Sequence, residues 1–166
     1  MAEITPKDFR SIRERYKDKK IVLATGVFDL LHAGHVLFLE DAKKLGDILV
    51  VGVGAGEGIK ERKDPSRPVL NLAMRMKLVD SIKPVDFVYT SHHQPVHHRL
   101  EFLETIFDEL RPDVHVANED GLDNDYRKVL ADKHGVKLVI LKRWCPPEFE
   151  DISTTKLIEK IRSGDK

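Results

Sequence analysis

The fold is decided by the stretch Thr25-Gly26-Val27-Phe28-Asp29-Leu30-Leu31-His32-Ala33-Gly34-His35. A short run of β-branched and apolar residues, Ile21–Ala24, comes directly before it. After it, apolar residues recur at three-residue steps from Val36 to Leu45, and Gly46 follows where a left-handed helix cap is expected. This order predicts a strand, a tight loop and a helix that begins at the two histidines.

The loop and the helix start carry the features of an anion site. Gly26 is expected to give the backbone conformational freedom and to leave room for a phosphate group, which the amides of a helix start attract. His32 and His35 are three residues apart, so we expect them to share one face and to point at that anion. Gly34 leaves that face uncrowded.

Apolar runs and amphipathic helical patterns alternate along the rest of the chain, which predicts a parallel sheet covered by helices. We therefore expect an α/β fold, a Rossmann-like, doubly wound, five-stranded and mainly parallel sheet with helices on both faces. Ligands bind such sheets beyond the carboxyl ends of the strands. The predicted strands are Ile21–Ala24, Ile48–Val53, Asp86–Tyr89, Val114–Ala117 and Val136–Leu141, and the predicted helices are Pro6–Tyr16, His35–Leu45, Leu72–Ile82, Leu100–Leu110, Asp123–His134 and Ser153–Arg162.

The composition predicts a cytoplasmic protein that acts on small molecules. The 166 residues fit one domain, with a helical extension at 1–19 and a catalytic core at 21–162. Because 28 basic and 28 acidic residues cancel, nothing draws the chain to nucleic acid or membrane. No apolar run reaches the roughly 20 residues of a membrane span. Cys145, the single cysteine, cannot form an internal disulfide.

The complete stretch resembles the G-x-F-D-x-x-H-x-G-H signature of the nucleotidylyltransferase superfamily, and the resemblance extends from Ile21 to Ile161. An isolated His-x-x-His would rather indicate a helix cap or an adventitious metal site. The resemblance implies an enzyme that transfers a nucleoside monophosphate from a triphosphate to a phosphorylated acceptor and releases pyrophosphate. It assigns His32 and His35 to stabilising the transition state. It also implies nucleotide contacts by Thr25, Gly26, Val27, Phe28 and Gly34.

Two further segments resemble phosphate-binding parts of the superfamily. Ile152-Ser153-Thr154-Thr155 is similar to its I-S-T-T string; Ser153 is expected to cap the last helix, while the hydroxyls and amides of Thr154 and Thr155 bind the triphosphate. The loop 54–68 carries Lys60 and Lys63, which match approximately the lysines that neutralise the leaving pyrophosphate. A solvated charged loop is the alternative for this run. Mg²⁺ is expected to arrive bound to the nucleotide, and no protein-held metal is predicted.

The remaining site predictions are less specific. Asn118 is expected to contact the nucleotide, and Asp29, Arg75 and Glu119 the acceptor. Four histidines have a spacing that suits zinc: His92, His93, His97 and His98. Such a cluster more commonly belongs to a polar loop that holds no metal. Trp144 either stacks on the base or seals the edge of the sheet.

The choice of nucleotide is predicted from positions at which this sequence differs from the strings typical of cytidylyltransferases. Lys83-Pro84-Val85-Asp86 stands where cytidylyltransferases typically show R-Y-V-D, and their R-T-E-G is replaced by Arg143-Trp144-Cys145 with an insertion through Asp151. Both departures favour ATP over CTP. The expected acceptor is a sugar or polyol phosphate. The alternatives are a cytidylyltransferase of glycerol phosphate or a similar phosphoalcohol, an FMN adenylyltransferase and, more remotely, a nucleotide-binding module without catalysis. A homodimer is also expected, since related small enzymes pair.

Overall fold

The computed structural model describes residues 2–55, 65–90, 101–121, 123–151 and 153–164, and their strands form one parallel sheet. The strand order is β1-β4-β3-β2-β5-β6. The predicted α/β class and the five predicted strands are confirmed. A sixth strand of two residues, which the sequence did not reveal, pairs with β4 at the edge. The strands are β1 Ala2–Glu3, β2 Ile21–Gly26, β3 Ile48–Val53, β4 Phe87–Thr90, β5 Val114–Asn118 and β6 Lys137–Leu141.

Helices connect the strands close to the predicted boundaries. A short 3-10 turn, Pro6–Asp8, precedes the first of them. Among the described residues, no helix has both the length and the hydropathy that crossing a bilayer requires. The helices are α1 Phe9–Arg15, α2 Ala33–Lys43, α3 Leu72–Asp80, α4 Glu101–Glu109, α5 Asn124–His134 and α6 Thr154–Ser163.

Local side-chain chemistry explains where the helices begin and end. The Asn71 side chain accepts a hydrogen bond from the Met74 amide and caps α3, and Gly135 ends α5 with φ of 67°. The expected left-handed cap at Gly46 is wrong, because Gly46 is not among the residues with positive φ. Glycine is needed there for close packing: a Cβ atom would lie 2.7 Å from the Lys20 carbonyl oxygen.

The core lies on both faces of the sheet, because successive side chains of a strand point to opposite sides. Val22 and Ala24 of β2 pack with α2 and α3, whereas Ile21 and Leu23 pack with α1, α4 and α5. The strand order reverses between β2 and β5, since α2 leads from β2 toward β3 and α5 leads from β5 toward β6. A crevice therefore opens at the carboxyl ends of β2 and β5, where open α/β sheets bind ligands.

Candidate active site

A cavity of about 340 Å³ occupies this crevice. It is walled by the β2–α2 loop, the ends of β5 and β6, and the start of α6. Many residues that the sequence singled out meet there although they are far apart in the chain. The predicted site residues that line it are Thr25, Gly26, Val27, Phe28, Asp29, His32, Gly34, His35, Asn118, Ser153, Thr154 and Thr155.

The two histidines stand together at the start of α2. Their rings stack with centroids 3.9 Å apart and an angle of 26° between the planes. His32 is the N-cap residue, with extended backbone, so the helix itself begins at Ala33. The Nδ1 atoms of both rings are buried and have no hydrogen-bond partner among the described residues. Within the part of the chain that the structure describes, the two rings contact each other by stacking, while neither Nδ1 atom is hydrogen-bonded.

Burial keeps both imidazoles neutral at pH 7. It lowers the pKa of His35 to about 3; the neighbouring His32 and Arg143 act in the same direction, and the Asp29 carboxylate opposes them. Burial, followed by the Arg143 charge, also lowers the pKa of His32. Each neutral ring has one N–H group that can donate to a phosphate oxygen. A bound anion would raise the pKa of both imidazoles, because it stabilises their protonated form.

The loop that presents the histidines is held in an uncommon conformation. Phe28 and Leu30 have φ of 52° and 45°, a region in which non-glycine residues are strained and which is frequent at functional sites. The Phe28 ring meets His35 edge-on, with centroids 5.5 Å apart. A Cβ atom at Gly26 would lie 2.9 Å from that ring. The role expected for Gly26 is thus corrected: it accommodates Phe28, and its φ is not positive.

Asp29 connects this loop to two other segments. Its carboxylate accepts hydrogen bonds from the amides of Val69 and Leu70, at 2.8 and 3.0 Å. Its carbonyl oxygen accepts from the Thr154 hydroxyl at 2.9 Å. Although Asp29 lines the cavity, both carboxylate oxygens are thus already hydrogen-bonded. The expectation that its carboxylate binds an acceptor is replaced by a structural role.

Arg75 does not line the cavity, and its predicted contact with the acceptor is wrong. The side chain is fully buried, and its guanidinium donates to four backbone carbonyl groups at 2.6 to 3.0 Å. These carbonyls lie in the loops after β2 and β3 and at the start of α3, so Arg75 joins the three segments. They belong to Val27, Gly54, Ala55 and Leu70.

The start of α6 forms a second wall of the cavity. Ser153 caps the helix by accepting a hydrogen bond from the Lys156 amide at 3.2 Å. The predicted use of the Thr154 hydroxyl needs correction, because it donates to the Asp29 carbonyl oxygen, whereas the Thr155 hydroxyl accepts from Arg67 at 3.3 Å and keeps its own proton for a phosphate oxygen. The first-turn amides have no acceptor within the helix, so they are the groups that suit an anion.

Arg127, which the sequence analysis missed, reaches the cavity from α5, on the other face of the sheet. Its Nη1 atom donates to the Thr25 hydroxyl at 3.0 Å and lies 2.7 Å from His115 Nε2. His115 Nδ1 lies 3.3 Å from the Leu23 carbonyl oxygen, which can only accept. Nδ1 therefore carries the proton and Nε2 accepts from Arg127. His115, a polar residue between the valines of β5, was the available signal.

The loop after β6 supplies Arg143, which was not predicted for the site, and Trp144, for which stacking on the base was one of two expectations. Arg143 and Trp144 line the cavity, and the Arg143 guanidinium pairs with Asp151 at 3.1 Å. Glu119, predicted to contact the acceptor, is exposed and does not line the cavity; its carboxylate accepts from the Arg143 amide at 2.9 Å. The geometry thus assigns Glu119 to holding this loop.

Some predicted residues lie outside the described part of the chain. These are the lysines Lys60 and Lys63 with their neighbour Arg62, and the histidines His92, His93, His97 and His98. Within the described ranges, no group of three or more His, Cys, Asp or Glu residues is arranged to hold a metal ion.

An open parallel sheet with two helix starts and two imidazoles at its reversal point defines an α/β protein that binds phosphate-bearing nucleotides. The sequence agrees with this class at the level of a family. Residues 23–160 match the model of the cytidylyltransferase-like family, and the chain belongs to that family.

Two kinds of similar protein carry more specific names. The bifunctional protein HldE of Hydrogenovibrio crunogenus is 36% identical over 151 residues, which cover 90% of this chain and 29% of that protein. The FAD synthase of Aciduliprofundum boonei is 38% identical over 143 residues, covering 84% of this chain and 89% of the synthase. The chain thus spans less than a third of the bifunctional protein but most of the synthase.

Solved structures show the same fold. A lipopolysaccharide core biosynthesis protein from Thermoplasma volcanium superposes with a TM-score of 0.59 at 29% identity, covering 77% of this chain and 98% of that one. The pantoate-β-alanine ligase of Francisella tularensis superposes with a TM-score of 0.59 at 16% identity, covering 98% of this chain and 77% of the ligase. At that identity, the second likeness concerns the fold alone.

Proposed function

We propose that the protein transfers AMP from ATP to a sugar or polyol phosphate and releases pyrophosphate. The observation that carries this proposal is the stacked pair His32 and His35, neutral and half-buried, at a helix start that opens on the cavity. Two imidazole donors fixed side by side suit the oxygens of one phosphate group, because hydrogen-bond donors in place before the reaction need no reorganisation.

In the proposed reaction an oxygen of the acceptor phosphate attacks the α-phosphorus of ATP. The new P–O bond forms as the bond from the α-phosphorus to the bridging oxygen of pyrophosphate breaks, and that oxygen keeps the electron pair. Negative charge grows on the oxygens around the α-phosphorus, where the imidazole N–H groups donate. Phosphoryl transfer needs positioning and positive electrostatics more than covalent chemistry.

We assign the leaving pyrophosphate to the wall formed by α6. The first-turn amides of Thr154 and Thr155 and the guanidinium of Arg67 line this wall. Lys60 and Lys63 are proposed to approach from the loop before Arg67, as the resemblance implies. Replacing either lysine with alanine should raise the KM for ATP or lower kcat, while an exposed lysine on α3, Lys77→Ala, should change neither.

Mg²⁺ is proposed to enter with ATP. The described side chains do not form a cage for it, and the carboxylate of Asp29 already accepts two amide hydrogen bonds. Magnesium commonly binds triphosphate oxygens and keeps several waters. It would neutralise phosphate charge, and no step of the proposal depends on a protein ligand to it.

The choice of ATP and of acceptor rests on the similar proteins. Both the bifunctional protein HldE and the FAD synthases are similar to nearly the whole chain, and the sequence departs from the cytidylyltransferase strings. A second candidate acceptor is FMN, which is favoured by the match over 88–89% of two FAD synthases. Glycerol phosphate with CTP is the third combination.

A matrix of two nucleotides and three acceptor classes tests the proposal. The protein with Mg²⁺ is incubated with ATP or CTP and with sugar phosphates, polyol phosphates or FMN. Pyrophosphate release is measured and the product is identified by mass spectrometry. We expect release with ATP and a sugar or polyol phosphate. Formation of FAD would show that FMN is the acceptor, and a CMP adduct would show that CTP is the nucleotide. Binding of nucleotide without any product would mean that the protein is a nucleotide-binding module without catalysis.

We further propose a cytoplasmic homodimer. The single cysteine, Cys145, is exposed and free, which suits a reducing compartment. Met74 and Leu78 are exposed apolar residues one turn apart on α3. Sedimentation equilibrium of the protein and of Met74→Lys should give a dimer for the first and a monomer for the second.

A further inference from the structure

The part of the cavity farthest along α2 from the histidines contains the only tryptophan of the chain. Trp144 follows β6, and its indole N–H donates to the Asp41 carboxylate of α2 at 2.7 Å. The other oxygen of Asp41 accepts from Lys44 at 2.6 Å. The edge of the indole ring is thus tied to the helix.

The ring is fixed, yet much of it is accessible. Trp144 keeps 50% of its surface exposed, so a large apolar area of the indole faces the solvent of the cavity. Arg143, the residue before Trp144, is held through its backbone and through its side chain. Its amide donates to Glu119, and its guanidinium pairs with Asp151. A flat ring that is held in place and partly open is suited to stacking on another flat ring.

The position of the ring fits a nucleotide that has its α-phosphate at the histidines. Asp41 lies six residues beyond His35 on α2, which corresponds to about 9 Å along the helix axis. A ribosyl group separates an α-phosphate from its base by a distance of this order. Leu37 and Phe38 line the cavity between the two positions and provide apolar surface.

We propose that Trp144, oriented by Asp41, is the stacking platform for the purine base of the bound triphosphate. This inference rests on the proposed transfer of AMP and adds a residue that sets nucleotide specificity. The base stacks on the indole, while the phosphates bind at the starts of α2 and α6. A purine covers more of the indole than a pyrimidine does, so the platform favours ATP over CTP.

The test compares ligands that share phosphates and differ in the base. Because Trp144 is the only tryptophan, intrinsic indole fluorescence reports on this position alone. ATP should quench the emission strongly, CTP less, and inorganic tripolyphosphate hardly at all. Calorimetric affinities for the same three ligands accompany the fluorescence titrations, which are carried out with the full chain.

Substitution of the platform should separate base binding from phosphate binding. Trp144→Ala should weaken ATP binding about 5-fold to 150-fold, the range given by about 1–3 kcal/mol for stacking of one base. It should weaken CTP binding less and leave tripolyphosphate binding unchanged. Trp144→Phe keeps an aromatic ring and should restore most of the ATP affinity. Unchanged tripolyphosphate binding also shows that the variant is folded.

Three results would overturn the inference. Equal weakening of ATP and tripolyphosphate would mean that Trp144 only shapes the phosphate region. Unchanged ATP affinity in Trp144→Ala would mean that the indole only covers the edge of the sheet and does not stack on the base. A loss of acceptor affinity alone would place the acceptor on the indole. If ATP quenches the emission but pyrophosphate is released with none of the acceptors, the proposed AMP transfer is wrong, while the stacking of the base on Trp144 stands.

Discussion

Two histidines of this protein, His35 and His115, share a low pKa and differ in the partners of their ring nitrogen atoms. Burial lowers the pKa of both His35 and His115 to about 3. His115 lies within β5, and both of its nitrogens have partners, the Leu23 carbonyl and the Arg127 guanidinium. His35 faces the cavity, and its buried Nδ1 has no partner among the described residues.

The difference shows what distinguishes a structural imidazole from one that is open to a ligand, although burial lowers the pKa of both. The protein satisfies His115 completely, so this ring stabilises the contact between β2, β5 and α5. Among the described residues, the rings of His32 and Phe28 contact His35, and its buried Nδ1 atom has no hydrogen-bond partner. Because an unpaired buried polar group is costly, a ligand that supplies the missing partner gains from binding there.

The largest expected effect separates the two histidines by activity. His35→Ala should reduce kcat about 10²-fold to 10³-fold, the usual loss when one donor to a developing negative charge is removed. ATP affinity and the melting temperature should change little. Steady-state kinetics and calorimetric unfolding of the same preparation measure these quantities. Turnover close to that of the unsubstituted protein would remove His35 from the proposed mechanism.

The converse substitution should act on stability. His115→Leu leaves the Leu23 carbonyl and an Arg127 donor without their shared partner, which should lower the free energy of unfolding by about 1–3 kcal/mol. Denaturant unfolding measures this change. The folded variant should keep kcat within about tenfold of the unsubstituted value. A loss of turnover as large as that of His35→Ala, without a loss of stability, would contradict the comparison.

Acidification should destabilise the protein through both rings. Their pKa is about 3 in the folded protein and about 6.5 in the unfolded chain, so between these values the unfolded chain binds more protons. The free energy of unfolding should therefore fall as the pH decreases below 6.5, by up to about 1.4 kcal/mol per pH unit for each histidine. Urea titrations between pH 7 and 5 measure the slope.

Tripolyphosphate should distinguish the two contributions to this slope. Its negative charge at the cavity raises the pKa of His35 and leaves His115 behind the sheet unaffected. The pH dependence of stability should therefore become shallower for the unsubstituted protein when tripolyphosphate is present. In His35→Ala the slope should respond less to the ligand. Equal responses of the two proteins would mean that the anion does not approach His35.

Much of this architecture could be predicted from the sequence, because the signals are local. The apolar runs, the caps at Asn71 and Ser153 and the glycine at 135 give the helices and the five long strands within a few residues. The string from Thr25 to His35 also predicts that the two histidines share a face. The stacked rings follow from that spacing.

What the sequence did not reveal depends on partners that are distant in the chain. Arg75 was expected to bind a ligand, because the sequence does not show that four backbone carbonyls converge on its guanidinium. Arg127 was missed because its contacts with Thr25 and His115 form only when α5 packs on the sheet. The edge strand β1 has two residues, too few for an alternating pattern.

The smallest expected effect concerns the caps of two helices that differ in their distance from the cavity. Ser153→Ala and Asn71→Ala each remove a side-chain acceptor from a helix start, which should cost about 1 kcal/mol of stability in either case. Of these two helices only α6 begins at the cavity, so Ser153→Ala should also weaken tripolyphosphate binding a few-fold, because the first-turn amides of α6 become less well ordered. Asn71→Ala is the matched control, and it should leave that affinity unchanged. If both variants bind tripolyphosphate as the unsubstituted protein does, the start of α6 is not the anion site, and the imidazole pair at α2 must hold the phosphates without it.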